Sequence, residues 1–243
     1  FFLYYVLQKR QKFAIYMKRL KFAEINKKVF SKIISLGFPT ALQMLFEVGL
    51  FTASVILAGT FGALPQAANQ IALKLASTTF MIAVGVGVAA TIRVGNQIGL
   101  KNYVELRRIA FSNFLLIFII MFVFAIGFFL MKDILPWMFT SNLEVIEIAL
   151  SLLVIAGLFQ LSDGLQAVVL GGLRGLQDVK IPAFITFVSY WIIGFPVSYY
   201  LGLHTSLESI GIWIGLFTGL FAASILLYLR FNYLTKKLIS SKP

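Results

Sequence analysis

The sequence predicts an all-α integral membrane protein with six transmembrane helices. Two properties of its composition support this class: 60% of the 243 residues are hydrophobic and only 12% are charged, whereas soluble domains carry about 25% charged residues. A third observation is that several apolar runs approach the length of about 20 residues that a helix needs to cross about 30 Å of hydrocarbon. The chain is therefore expected to lie in a bilayer, with membrane lipids as its surroundings.

The first 32 residues combine a short apolar stretch with a strongly basic one. Residues 1–7 are too few to cross a membrane, and we interpret them as the tail of a truncated transmembrane helix. Residues 8–32 contain nine Lys or Arg and one acid, with apolar residues spaced loosely as on one helical face. This pattern predicts a cytoplasmic linker that includes an amphipathic helix on the anionic leaflet. A calmodulin-type or nucleic-acid-binding segment is the alternative.

Six apolar spans follow within residues 33–230, and residues 231–243 form the predicted cytoplasmic tail. The predicted spans are 33–58, 70–92, 109–131, 145–170, 182–203 and 210–230.

The basic residues between these spans predict the orientation of the chain. Loops 93–108 and 171–181 and the tail are rich in Lys and Arg, and Arg174 is counted with the second of them. The other loops, 59–69, 132–144 and 204–209, contain Lys132 as their single basic residue. By the positive-inside rule, residues 8–32 and the C-terminus are cytoplasmic in a multi-pass inner-membrane protein. The net charge of +12 is thus assigned to the membrane surface, and no nucleic-acid partner is predicted.

Glu47 lies near the middle of the first span. A carboxylate at that depth costs about 2.5–3.5 kcal/mol on insertion scales, so it is a functional-site candidate. Gln43 lies four residues earlier on the same helical face, and Pro39 can kink the helix two turns earlier. A polar face beside a kink is typical of a helix that lines water or protein. The alternative is a protonated or paired acid that only holds helices together.

Asp163 is the second acid that lies deep in a span. Gln160 and Gln166 lie three residues to each side, and Phe159 one turn earlier, which predicts a shared helical face. Two carboxylates and several amide oxygens can bind Na⁺, so Glu47 and Asp163 are the candidate metal ligands. A carboxyl group kept away from water can instead carry a proton. Two unrelated structural acids are the remaining interpretation.

Enzymatic function is not predicted. The one histidine, His204, falls in a predicted loop, and the sequence contains no HExxH motif and no Gly-rich phosphate loop after a strand. There is no cysteine to serve as nucleophile or metal ligand. No tightly bound cofactor is predicted, and Na⁺ or H⁺ would act only as a coupling ion.

Several motifs resemble those of a known transporter family. The chain is similar to the C-terminal half of multidrug and toxic compound extrusion (MATE) transporters of the bacterial NorM type. The motifs are GFPTALQMLFE at 37–47, AANQIA at 67–72, IRVGNQIG at 92–99, SDGLQAVVLGGLRGLQDVKIP at 162–182 and SYWIIGFPVSYYLG at 189–202.

The resemblance implies a twelve-helix transporter made of two six-helix lobes around a central cavity. This chain would be the C-lobe, and its partner would be the missing N-terminal lobe. The implied activity is antiport: cationic, amphipathic, drug-like compounds leave as Na⁺ or H⁺ enters. Glu47 and Asp163 match the family's acids implicated in cation coupling.

The residues expected to line the cavity besides these acids are Gln43, Phe80, Phe159, Gln160 and Gln166. Some members of the family have tyrosine in place of Phe80 and Phe159, so the hydroxyl groups are missing here. The aromatic rings still permit cation–π contact with a drug.

Two other functions are considered. A lipid or lipid-linked oligosaccharide flippase of the same superfamily would present a cationic cavity to anionic phosphates, whereas the mid-membrane charges here are acidic. A non-transporting membrane assembly module would leave the cost of the buried acids unexplained.

Overall fold

The computed structural model describes residues 26–240, and these residues are almost entirely helical. Within them, six helices are long and apolar enough to cross a membrane, which confirms the predicted fold class. The predictions for residues 1–7, for the first part of the basic linker and for the last three residues of the tail lie outside this described range.

The six helices are α1 to α6 in chain order. Their bounds are α1 Lys27–Gly59, α2 Ala63–Gly99, α3 Tyr103–Met131, α4 Leu143–Gly175, α5 Lys180–Leu203 and α6 Glu208–Ser240. A short 3₁₀ helix, Leu135–Met138, precedes α4. The chain divides into two compact units, Phe1–Phe38 and Pro39–Pro243. The second is called the compact unit below.

The helices extend beyond the predicted spans. The expected loop 93–108 is reduced to residues 100–102, because α2 continues to Gly99 and α3 begins at Tyr103. Similarly, α6 continues to Ser240 through most of the predicted tail. Hydropathy identifies only the apolar part of a helix, whereas Lys, Arg, Leu and Gln continue the backbone hydrogen bonding past that part.

Asparagine side chains cap the first turns of two of these helices. Asn102 accepts a hydrogen bond from the Glu105 amide at the start of α3, and Asn142 accepts from the Glu144 and Val145 amides at the start of α4. These amides lack partners within their own helix, so an Asn cap stabilises the first turn.

The core of the compact unit is built around α4 and α6. Helix α4 packs against α2, α3 and α6, and α5 packs against α6. The backbones of α2 and α4 approach each other at Gly87 and Gly171, where a methyl group on Gly171 would overlap the Gly87 carbonyl. The Thr91 hydroxyl donates to the Gly171 carbonyl at 2.9 Å. Small residues here allow the two backbones to approach, as is usual for membrane helices.

Helix α5 is interrupted by a π-helical segment, Val188–Gly194. This segment turns Tyr190 into the core, where its side chain is fully buried. The indole of Trp191 donates to the Phe46 carbonyl of α1 at 3.2 Å. Single π-helical turns inside α-helices often occur at functional sites, which directs attention to the region between α1 and α5.

Candidate functional site

Glu47 lies where two cavities meet. The Asp163 cavity, about 260 Å³, extends from Glu47 toward the C-terminal end of α1 and is walled by α1, α2 and α4. The Arg174 cavity, about 220 Å³, extends in the opposite direction and is walled by the same three helices. Glu47, Val48 and Phe80 belong to both walls. A ligand could therefore reach the half-buried Glu47 carboxylate from either cavity.

The Asp163 cavity is mostly apolar and aromatic. Its polar groups are Glu47, Thr52, Ser77 and Asp163, and its aromatic residues are Phe51, Phe80 and Phe159. Because the rings of Phe51 and Phe159 meet edge to face at 6.0 Å between centroids, they join α1 to α4 beside the two acids. The predicted lining residues Phe80 and Phe159 both lie on this wall.

Asp163 is the more deeply placed of the two acids. Its side chain is only 5% exposed, and its Oδ1 atom accepts no hydrogen bond from any residue in the described range. The carboxyl groups of Glu47 and Asp163 are close enough to interact electrostatically. A buried, unpartnered carboxylate oxygen is costly, so this oxygen requires a proton, a cation or water.

The two glutamines of α4 face different neighbours. Gln166 lies on the wall of the Arg174 cavity, and its amide makes no hydrogen bond of standard geometry within residues 26–240. Gln160 lies outside the walls of both cavities and accepts a hydrogen bond from the Thr79 hydroxyl of α2. Each step of three residues turns a helix by about −60°, so two steps separate these side chains by about 120°. The shared face predicted for them is thus wider than one cavity.

The Arg174 cavity contains a charge that sequence reasoning placed in a loop. Arg174 lies in the last turn of α4, and its Nη2 donates to Gln43 Oε1 at 3.2 Å. Its guanidinium also interacts electrostatically with Glu47. Arg174 therefore belongs to the polar site as well as to the basic end of the helix. Its position eleven residues after Asp163, three helical turns along one face, was the available signal.

Tyr190 is a second residue that the sequence analysis did not assign to the site. Its hydroxyl lies beside the Gln166 side chain, and it interacts electrostatically with both Glu47 and Asp163. The π-helical turn around it could not be read from the sequence, because the pattern of apolar residues in α5 is continuous.

The assembled site contains two acids, one guanidinium and several amide oxygens. If both carboxyl groups are ionised, its formal charge is −1. No group of three or more His, Cys, Asp or Glu side chains suited to a metal occurs among residues 26–240. Hard oxygen donors without His or Cys are typical ligands of alkali or alkaline-earth cations, so the chemistry favours a weakly held cation or a proton.

Comparison with known proteins assigns the family. A family model described as MatE matches residues 39–200. The chain belongs to the MatE family. It is a multi-pass membrane protein.

Two curated MatE relatives cover most of this chain. This chain is 34% identical over 241 residues to "Probable multidrug resistance protein NorM" of Xylella fastidiosa (strain 9a5c). That alignment covers 95% of this chain and 51% of the relative. This chain is 35% identical over 220 residues to "Multidrug resistance protein MdtK" of Yersinia pseudotuberculosis serotype O:1b (strain IP 31758). That alignment covers 89% of this chain and 48% of the relative. The chain therefore spans about half the length of these relatives.

The fold is also that of a solved MATE structure. The crystal structure of the eukaryotic MATE transporter AtDTX14 aligns with a TM-score of 0.80 at 22% sequence identity. The alignment covers 93% of this chain and 54% of that one. The similarity to the MATE family predicted from the motifs is thus confirmed.

Proposed function

We propose that this chain is the C-terminal half of a cation-coupled multidrug exporter. The observation that carries this proposal is the position of Glu47, which joins two cavities and has the buried acid Asp163 beside it. Both relatives described above are named multidrug resistance proteins. The partner would be an N-terminal lobe of six helices in the same transporter, and the substrates would be cationic, amphipathic small molecules.

The coupling ion, Na⁺ or H⁺, would bind at Glu47 and Asp163. These residues fit a cation because Asp163 Oδ1 and Gln166 Oε1 are buried without hydrogen-bond donors in the described part of the chain. A cation or proton there would remove the cost of keeping a carboxylate out of water. The remaining predicted lining residues, Gln43, Phe80 and Phe159, would then shape the space next to the bound ion.

Exchange would follow from differential binding. A ligand shifts a conformational equilibrium only by the difference between its affinities for the two states. If the coupling ion favours the state that closes the site to the outside and the drug favours the opposite state, inward movement of the ion drives drug export. Two lobes moving around the site would supply the alternating access.

The charges of the site support this function over lipid flipping. A flippase for phosphate-linked lipids needs cationic groups to bind the phosphate. The two cavities hold two acids and a single arginine, which favours a cationic substrate. We further propose the inner membrane as the location, with residues 8–32 and the C-terminus on the cytoplasmic side.

Glu47→Gln tests the proposal. The protein is expressed from its whole reading frame, reconstituted in proteoliposomes, and assayed for ethidium efflux driven by either a Na⁺ gradient or a proton gradient. We expect the wild type to respond to one of these gradients and the variant to lose coupled efflux, because a neutral amide carries no titratable proton and lacks the negative charge that holds a cation. The gradient that works identifies the coupling ion.

The control is Glu105→Gln, which removes an acid that lies in the first turn of α3, outside the site. It should transport normally. Normal coupled efflux by Glu47→Gln, at wild-type protein levels, would overturn the assignment.

A further inference from the structure

The direction of the Arg174 side chain is unusual for a residue at the end of a helix. Arginines at such positions commonly extend to the membrane surface. Arg174 instead lies on the wall of its cavity and donates to Gln43 of α1 at 3.2 Å. Its Nε is buried and has no hydrogen-bond acceptor within residues 26–240. A guanidinium with an unused buried donor would be stabilised by a further hydrogen-bond acceptor, above all by a carboxylate.

The better acceptor lies one helical turn away. Glu47 follows Gln43 by four residues on α1, a rise of about 6 Å, and its carboxylate lines the same cavity as Arg174. The ion pairs within 4.0 Å in the described range are Arg108 with Glu105 and Arg230 with Asp178. Arg174 and Glu47 therefore interact across the cavity without contact, and Gln43 holds the guanidinium one turn short of the carboxylate.

We propose that Arg174 is a tethered cation that competes with the coupling ion for Glu47. When the ion is bound, the guanidinium rests on Gln43. When the ion leaves, the guanidinium moves along α1 to Glu47 and neutralises it. This inference rests on the proposed function, because it assumes that Glu47 binds the ion.

The physical reason is the cost of an empty site. An ionised carboxylate facing a mostly apolar cavity needs a compensating charge. Arginine can supply that charge at any physiological pH, and its planar group matches a carboxylate in two hydrogen bonds. The competitor would weaken ion binding and so allow release of the ion without exposing a bare charge.

Labelling with dicyclohexylcarbodiimide tests the competition for either coupling ion. This apolar reagent modifies protonated carboxyl groups in apolar surroundings, and the rate at Glu47 can be followed by peptide mass spectrometry. The samples are the protein from its whole reading frame and its Arg174→Gln variant, at one fixed pH. Without the competing guanidinium, Glu47 should be labelled about tenfold faster, which corresponds to about 1.4 kcal/mol. An unchanged or slower rate would overturn the inference.

Three variants separate competition from a structural role. Arg174→Lys keeps the charge, so Glu47 should be labelled at nearly the wild-type rate in this variant. If Arg174 acted only through packing, the lysine variant would change the labelling rate as well. Arg230→Gln is the matched control: it removes a partly buried arginine of α6, ion-paired with Asp178 at 2.8 Å, and should leave the rate unchanged. Gln43→Ala should slow the labelling, because the guanidinium is released toward Glu47.

The double variant Gln43→Ala with Arg174→Gln gives the sharpest result. If Gln43 acts by holding Arg174, the double variant labels as fast as Arg174→Gln alone. If it labels more slowly, Gln43 acts on Glu47 directly and the holding role is wrong. The proposed function fails separately, in the wild type, if Glu47 is labelled no faster than the half-exposed Glu105 and Na⁺ does not protect it.

Discussion

Helices α1 and α4 each carry one acid of the site, but they are held in opposite ways. Helix α4 has twenty buried residues, and α1 has five. Helix α4 packs closely against three other helices. Helix α1 reaches its neighbours through long side chains, such as Phe46 against Phe187 at 5.0 Å between ring centroids.

The difference indicates a division of roles between the acids. Asp163 is fixed by a helix whose backbone cannot shift without disturbing the core. Glu47 is on a helix that is held by a few aromatic contacts and by hydrogen bonds from Trp191 to Phe46 and from Arg174 to Gln43. A site with one fixed and one adjustable acid can change its affinity for an ion through a small movement of α1, which is what the proposed alternating access would need.

The largest difference between the two helices is expected from alanine substitutions at glycines. A methyl group on Gly171 of α4 would overlap the Gly87 carbonyl, so Gly171→Ala should destabilise the protein by about 1–3 kcal/mol. On α1, a methyl group on Gly49 would meet only the indole of Trp191, at 3.0 Å. Because a side chain can move aside more easily than a backbone, Gly49→Ala should change the stability by less than about 1 kcal/mol. Unfolding by sodium dodecyl sulfate in mixed micelles measures both.

Equal effects of the two alanine substitutions would contradict the contrast in packing. Gly85→Ala on α2 serves as a further control, because no described atom lies within 4 Å of a methyl group at that position.

Phenylalanine substitutions at two tryptophans should differ by an intermediate amount in their effect on stability. Trp213 of α6 is fully buried and donates to the buried Asn69 at 2.8 Å, so Trp213→Phe leaves an unsatisfied oxygen and should cost about 1–3 kcal/mol. Trp191 donates to α1 and is only half-buried, so Trp191→Phe should cost about 0.5–1.5 kcal/mol. The same unfolding assay measures both.

The Trp191 variant also tests whether α1 is adjustable. If the indole helps to position Glu47, Trp191→Phe should change the concentration of coupling ion that gives half-maximal efflux. Trp213→Phe should change stability with little effect on that concentration. A reversed pattern would contradict the assignment of α1 as the adjustable helix. Trp137→Phe is the control, since Trp137 is exposed.

The smallest effect is expected at the ion pair that joins α6 to the turn after α4. Arg230 and Asp178 form a partly exposed ion pair at 2.8 Å, and such pairs contribute about 0–1 kcal/mol after screening by solvent. Arg230→Gln and Asp178→Asn should each reduce stability by this amount, and the loss should shrink in high salt. A loss above about 3 kcal/mol would mean that the pair behaves as a buried one.

Much of the fold could be predicted from sequence, since the helices depend on local properties. Length and apolar content located the six long helices of residues 26–240, because a polar backbone in hydrocarbon must satisfy its own hydrogen bonds and a helix does so within one segment. The depths of Glu47 and Asp163 in the bilayer stay predictions from their places within the apolar spans. Hydropathy could not locate the helix ends, because helices continue beyond the apolar region.

The contents of the site were decided by the tertiary structure. Which of Gln160 and Gln166 faces a cavity depends on how α4 is rotated against α1 and α2, and sequence spacing alone leaves that rotation open. Arg174 turns toward Gln43 and Tyr190 turns inward through a π-helical segment for the same reason: both depend on contacts between helices far apart in the chain. The free-energy cost of burying a charged side chain depends on that residue alone, so the sequence by itself singled out Glu47 and Asp163. The side chains that offset this cost come from other helices, so only the tertiary structure could identify them.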